Sequence, residues 1–125
     1  MIGSTRSLRV WAYTVPSDLR KGFDGLYGLV VSQLGGNPLS GDCFLFVNRG
    51  RTRAKVLLWD GTGLCIYQKR LERGRFACLW KDGNQRSVEM TLTELALFLE
   101  GCQLVQRVRL SPEKFVPRPL IGESE

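Results

Sequence analysis

The stretch that decides the fold is residues 48–75, NRGRTRAKVLLWDGTGLCIYQKRLERGR. Strand-forming residues alternate here with glycine-containing turns, which predicts consecutive antiparallel strands in a β-meander. The predicted strands span residues 43–47, 54–59 and 64–71, with connections at 48–53 and 60–63. The second connection is a hairpin signal in which Trp59 faces Leu64. Counting outward from that turn places Arg53 opposite Arg70.

This stretch also carries the positive charge of the chain. It holds eight lysine or arginine residues against two acidic ones, and the whole chain has a formal charge of +6. Alternate loops of a meander share one end of the sheet, so the two arginine-rich loops should lie together. Guanidinium groups grip phosphate oxygens in pairs, which predicts a phosphate-binding surface and favours a nucleic acid as partner; an ordinary solvated basic surface is the alternative. The predicted contacts are Arg49, Arg51, Arg53, Arg70, Arg73 and Arg75, with Lys55 and Lys69 at the margin.

Size and composition favour one domain that needs no metal or disulfide. The chain has 125 residues, of which 43% are hydrophobic, and this is enough for a real core. Its four cysteines form no CxxC pair, and there is no histidine to complete a zinc set. We therefore expect reduced structural cysteines and neither metal nor cofactor. No apolar run approaches the length of a signal peptide core or a membrane span, which predicts a cytoplasmic protein without membrane association.

The flanking sequence predicts an α+β fold with about five strands, an antiparallel meander, one long helix after the first strand and one helix near the C-terminus. Ser17 is the predicted cap of the first helix and Gly35 its stop. Thr91 and Glu94 form a predicted capping box for the second. The predicted strands outside the meander are 8–15, 75–80 and 87–90, and the predicted helices are 18–34 and 91–101. The domain is expected to span 1–102, and 103–125 is a tail in which 104–110 either adds an edge strand or docks on a partner, with irregular structure after it.

Glycines and apolar strand faces indicate what the helices cover. Gly22, Gly25 and Gly28 recur every three residues in the first predicted helix, where each costs about 1 kcal/mol relative to alanine. Close packing on the protein's own sheet is the favoured explanation, with a partner helix or a phosphate backbone as alternatives. The strand at 54–59 is apolar on both faces and needs two covers. The first helix is one cover, and the second helix or another protein chain is the other.

Three motifs, SDLRKGFDGL at 17–26, KVLLWDGTGL at 55–64 and YQKRLERGRF at 67–76, resemble a known family. They are similar to the small TnpB-type accessory protein of insertion-sequence family sixty-six, and the resemblance spans about residues 9–101. The chain departs from the usual pattern at 77–80, ACLW, where relatives often have an aromatic residue and a proline. The matching motif residues are Asp18, Arg20, Lys21, Gly22, Phe23, Gly25, Trp59, Asp60, Gly61, Gly63, Glu72, Gly74 and Phe76.

The resemblance implies a role in DNA transposition. These bacterial mobile elements carry a separate DDE-type transposase, and the small protein comes from a companion reading frame that assists it. The implied partners are DNA at the element ends, the transposase and the companion accessory protein. A homo-oligomer is compatible with these partners.

The residues themselves argue against catalysis. Without histidine there is no Ser-His or Cys-His pair, and no side chain titrates near neutral pH without perturbation. Metal-dependent strand transfer needs clustered carboxylates, whereas the aspartates at 18, 24, 42, 60 and 82 are scattered among caps and turns. We therefore expect a non-catalytic protein. The two hypotheses are a DNA-binding module and an adaptor that contacts the transposase through the sheet surface around Trp59 or through the tail.

Overall fold

The structure, a computed structural model, describes residues 8–80 and 85–101. Within these residues, five strands form one sheet in the order β4-β3-β2-β1-β5, and two helices accompany it. The strands are β1 (Val10–Tyr13), β2 (Cys43–Val47), β3 (Arg53–Trp59), β4 (Leu64–Arg70) and β5 (Ser87–Met90). The helices are α1 (Phe23–Leu29), continued by a π-helical segment (Val30–Leu34), and α2 (Leu92–Glu100). The predicted α+β class is confirmed.

The sheet is mixed, so the prediction of a purely antiparallel meander is wrong. β1 pairs with β2 in parallel, with Val10 beside Cys43, because α1 crosses over between them and returns the chain to the same end. The other three pairings are antiparallel. The predicted hairpin register is confirmed, since Trp59 pairs with Leu64 and Arg53 pairs with Arg70.

The two faces of the sheet have separate cores. On one face, Leu26 and Val30 of the first helical segment pack in a cluster with Phe44 and Leu57. On the other, Phe98 of α2 packs in a cluster with Val56. The two-sided apolar pattern of the central strand is thereby explained, and the second cover is the chain's own second helix.

Residues 75–80 do not form the predicted strand. Phe76 and Leu79 are instead buried against the α2 face of the sheet. The Phe76 ring stacks on Phe98, with ring centroids 5.2 Å apart. This tertiary contact overrides the local strand preference of the segment. The predicted turn at 81–84 and edge strand at 104–110 lie outside the described residues.

The first helix begins later than predicted. Residue 18 lies in a preceding turn, closed by the Lys21 amide donating to the Asp18 carbonyl at 3.2 Å, and the Ser17 hydroxyl donates to Val15 instead of capping the helix. The predicted stop is confirmed, because Gly35 adopts the left-handed conformation with φ 66°.

The glycine spacing does not reflect close packing on the sheet. A Cβ atom added at Gly22 or Gly28 would meet nothing within 4 Å, and one added at Gly25 would meet the Lys21 side chain at 2.8 Å. Neither Gly22 nor Gly28 is therefore required by the packing of the described residues. The capping box of α2 is confirmed, with the Glu94 amide donating to Thr91 Oγ1 at 3.0 Å and the Thr91 amide donating to Glu94 Oε1 at 2.8 Å.

Candidate nucleic-acid interface

The two arginine-rich loops lie side by side at one end of the sheet. The Leu71 amide donates to the Thr52 carbonyl at 2.8 Å, and the Phe76 amide donates to the Arg51 carbonyl at 2.7 Å. These bonds extend the contact between the loops beyond the last strand pair, Arg53 and Arg70. We call this end the basic edge, defined by Arg49, Arg51, Arg53, Arg70, Arg73 and Arg75.

Most of the arginines of the basic edge face solvent. Arg51 differs from the others because it is half-buried, and its guanidinium donates to the Phe76 carbonyl at 3.1 Å. It also adopts a left-handed backbone conformation with φ 60°, which places a tight bend in this loop. Arg51 therefore holds the neighbouring loop in place. The exposed members are Arg49, Arg53, Arg70, Arg73 and Arg75.

The acidic side chain of Glu72 lies within the basic edge. Glu72 forms an exposed ion pair with Arg70, with Oε2 3.1 Å from Nε. Because the chain leaves β4 after Arg70, Glu72 does not continue the hairpin register to a position opposite Arg51. Exposed ion pairs of this kind contribute little and are screened by salt. The edge thus keeps a positive excess.

The two lysines at the margin lie on opposite faces of the sheet. Lys55 shares the α1 face with Leu57, and its ammonium donates to the Lys21 carbonyl at 2.9 Å. Lys69 lies on the α2 face, where its ammonium donates to the Leu99 carbonyl at 2.6 Å near the C-terminus of α2. Both lysines hold secondary-structure elements together, and their assignment as DNA contacts stays a prediction.

The structure adds a segment to the basic edge that sequence reasoning had not placed there. Because β1 is parallel to β2, the chain leaves β1 at the end where β2 meets its arginine loop, and the Ser17 amide donates to the Val47 carbonyl at 2.9 Å. The following residues include Arg20, which pairs with Asp18 at 2.9 Å. Hydrogen bonding to Asp18 raises the pKa of Arg20, and the same contacts hold the pKa of Asp18 well below its usual range. The order of β1, α1 and β2 along the chain is the sequence signal that could have placed this segment at the basic edge, because a helical connection of this kind joins parallel strands.

An open groove of about 380 Å³ lies between this segment and the ends of β3 and β4. Leu19 lies at one side of it, and the opposed pair Arg53 and Arg70 contributes to its lining. The remaining lining residues are Ala54, Lys55, Gln68, Lys69 and Glu72.

Several motif residues act through the backbone or lie away from the groove. Asp60 organises the turn at the far end of the hairpin, where its carboxylate accepts the Thr62 and Gly63 amides at 2.9 Å each. These hydrogen bonds lower the pKa of Asp60 to about 2. Gly61 and Gly74 take left-handed conformations with φ 107° and 72°. Trp59 ends β3 and is half-buried, whereas Phe23 at the start of α1 is 48% exposed.

The described residues contain neither a metal cluster nor a membrane-spanning helix. No group of three or more cysteine, aspartate or glutamate side chains within residues 8–80 and 85–101 is arranged to hold a metal ion. No helix in that part of the chain is long and apolar enough to cross a membrane.

Comparison with known proteins places the chain in a family. Residues 8–109 match the family described as IS66 Orf2 like protein. The uncharacterized protein y4jC of Sinorhizobium fredii is 35% identical over 114 residues, covering 91% of this chain and 95% of that protein. The uncharacterized protein y4hO of the same organism is 37% identical over 101 residues, covering 81% and 86%. No solved structure gives a significant match. The chain therefore belongs to the IS66 Orf2-like family, the TnpB-type proteins with an accessory role in DNA transposition.

Proposed function

We propose that this protein is a non-catalytic transposition factor that binds the phosphate backbone of DNA through its basic edge. The observation that carries the proposal is the arrangement of two arginine loops, which hydrogen bonds between Thr52 and Leu71 and between Arg51 and Phe76 hold together. Exposed guanidinium groups at one end of a small domain create a local positive potential that attracts a polyanion.

The binding is expected to depend little on DNA sequence. The arginines lie on loops and strand ends, and backbone contacts of this kind position a protein on DNA without reading bases. Each phosphate contact releases condensed counterions from the duplex. The logarithm of the association constant should therefore fall with the logarithm of salt concentration by about 0.9 per contact.

The test is a salt titration of duplex DNA binding by fluorescence anisotropy. The variant is Arg49→Gln/Arg73→Gln/Arg75→Gln, which removes three exposed charges from the basic edge. We expect weaker binding at low salt and a salt slope reduced by about one for each phosphate that the variant no longer neutralises. The control is Arg9→Gln, because Arg9 precedes β1 at the opposite end of the sheet and pairs there with Glu89. An unchanged affinity and slope in the triple variant would contradict the proposal.

A second candidate function is an adaptor that contacts the transposase or the companion accessory protein. It is favoured by two large apolar side chains that α1 and its π-helical continuation leave exposed, Phe23 at 48% and Val31 at 51%. Exposed aromatic residues often anchor protein interfaces. A pull-down with the transposase distinguishes the two functions. Association that survives nuclease treatment but disappears in Phe23→Ser/Val31→Ser supports the adaptor, whereas association that nuclease treatment abolishes supports DNA as the bridge.

A further inference from the structure

We propose that the groove between Leu19 and the Arg53–Arg70 pair binds the sugar-phosphate of an unpaired DNA strand. The inference rests on the proposed function and adds a substrate class to it. The loop arginines Arg49 and Arg73 would bind the outside of a duplex, while the groove would take a single strand from the same DNA.

The groove has two walls of different origin. One wall is the chain before α1, which contributes Leu19, and the other is the end of the β3–β4 hairpin. The Lys55 ammonium ties them together through its 2.9 Å bond to the Lys21 carbonyl. A preformed cleft of this kind costs less conformational entropy on binding than a pair of free loops would.

The side chains in the groove suit a nucleotide. Arg53 and Arg70 are directly opposed on neighbouring strands, so their guanidinium groups can grip the oxygens of one phosphate from two sides. Gln68 pairs with Lys55 across β3 and β4, and it lies on the same face of the sheet as Arg70, two residues further along the strand. Its side-chain amide offers both a hydrogen-bond donor and an acceptor. Leu19 adds apolar surface, and the planar guanidinium groups can stack on a base.

The groove has room for part of an unpaired strand. Its volume of about 380 Å³ lies near the lower limit of pockets that hold small molecules, so it can accommodate one nucleotide. A duplex holds its bases stacked inside and can offer the groove only its phosphates. An unpaired strand can turn its sugar and base into the groove.

Glu72 acts as an internal competitor for the same site. Its carboxylate lies 3.1 Å from Arg70 in the groove lining, while Arg53 has no acidic partner among residues 8–80 and 85–101. The ion pair is exposed, with side-chain accessibilities of 62% and 76%, so an incoming phosphate can displace Glu72 at little cost. Removing this carboxylate should favour binding of a single strand.

The test compares two matched double variants, Arg53→Gln/Arg70→Gln in the groove and Arg49→Gln/Arg73→Gln on the loops. Both remove two charges, and glutamine keeps much of the aliphatic stem. Anisotropy titrations use a short oligo-dT strand and a duplex with the same number of nucleotides per molecule. The groove variant should lose at least tenfold more affinity for oligo-dT than for the duplex, and the loop variant should show no such preference. Glu72→Gln should bind oligo-dT several-fold more tightly than the unmodified protein.

The possible results distinguish the single-strand site in the groove from DNA binding by the basic edge as a whole. Equal losses on both probes in the groove variant would overturn the single-strand site and leave DNA binding intact. If neither double variant changes binding of either probe, the basic edge itself is wrong. An oligo-U strand that binds more tightly than oligo-dT would overturn the assignment to DNA. Thermal unfolding of each variant checks that a lower affinity does not come from a loss of structure.

Discussion

Arg53 and Arg70 face each other across β3 and β4, with like charges at the last residue pair of the hairpin. Glu72 pairs with Arg70, whereas Arg53 has no acidic partner in the part of the chain that the structure describes. Like charges directly opposed in a sheet are destabilising. The free protein thus carries an electrostatic cost at the position where a phosphate would relieve it.

The first prediction is that Arg53→Gln stabilises the free protein while it weakens DNA binding. Removing one of two opposed charges should raise the free energy of unfolding by up to about 0.5 kcal/mol at low salt. The affinity for DNA should fall at the same time, because one guanidinium group no longer neutralises a phosphate. Urea unfolding and anisotropy titrations at low ionic strength measure the two effects.

High salt provides the control for this prediction. At about 1 M salt the screening length is about 3 Å, so the stability advantage of Arg53→Gln should shrink. A variant that is less stable than the unmodified protein at low salt, and remains so at high salt, would mean that Arg53 stabilises the hairpin through packing instead.

The central hairpin was predictable because its information is local. The turn that begins at Asp60 sets the register, and the counted pairs from Trp59–Leu64 to Arg53–Arg70 match the structure. The segment at 75–80 has the composition of a strand, but its outcome depends on a distant contact between Phe76 and Phe98. Propensity within a short window contains no information about that contact.

The candidate site was predictable in part for the same reason. The meander brings its own arginine loops together, whereas the segment with Leu19 and Lys21 reaches them only through the parallel pairing of β1 with β2. That pairing joins two strands that are about thirty residues apart, and its direction follows from the helical connection between them and not from any motif of the hairpin. The three motifs therefore do not indicate the groove.

The second prediction concerns the turn at Asp60. Hydrogen bonds from Thr62 and Gly63 lower the pKa of Asp60 from 3.8 to about 2. A lowered pKa stabilises the folded state above the ordinary value, and this contribution is lost as pH falls from 3.8 towards 2. Asp60→Asn should keep the turn and flatten the fall in stability across that range. Urea unfolding at several pH values measures the change, and an NMR titration that finds Asp60 near 3.8 would exclude the mechanism.

The third prediction tests the cap of α2. Thr91→Ala removes the side-chain oxygen that accepts the Glu94 amide, and it should lower the free energy of unfolding by about 1 kcal/mol. Thr93→Ala is the matched control, because Thr93 is exposed in the first turn of α2 and lies outside the capping box. It should change stability by less than about 0.5 kcal/mol. Equal effects of the two substitutions in thermal unfolding would show that the box contributes nothing.

The fourth prediction uses the glycines of the first helix. Gly28→Ala should raise the free energy of unfolding by about 1 kcal/mol, because the added methyl group meets open space and alanine favours the helix. Gly35→Ala is the control, and it should destabilise the protein by about 1 kcal/mol because Gly35 has φ 66°.

The DNA affinity of Gly28→Ala then tests why this helix position holds a glycine. Unchanged affinity means that Gly28 is dispensable for binding, whereas a stable variant that binds DNA more weakly would place the exposed side of α1 against the DNA. A loss of stability in Gly28→Ala would contradict the prediction itself.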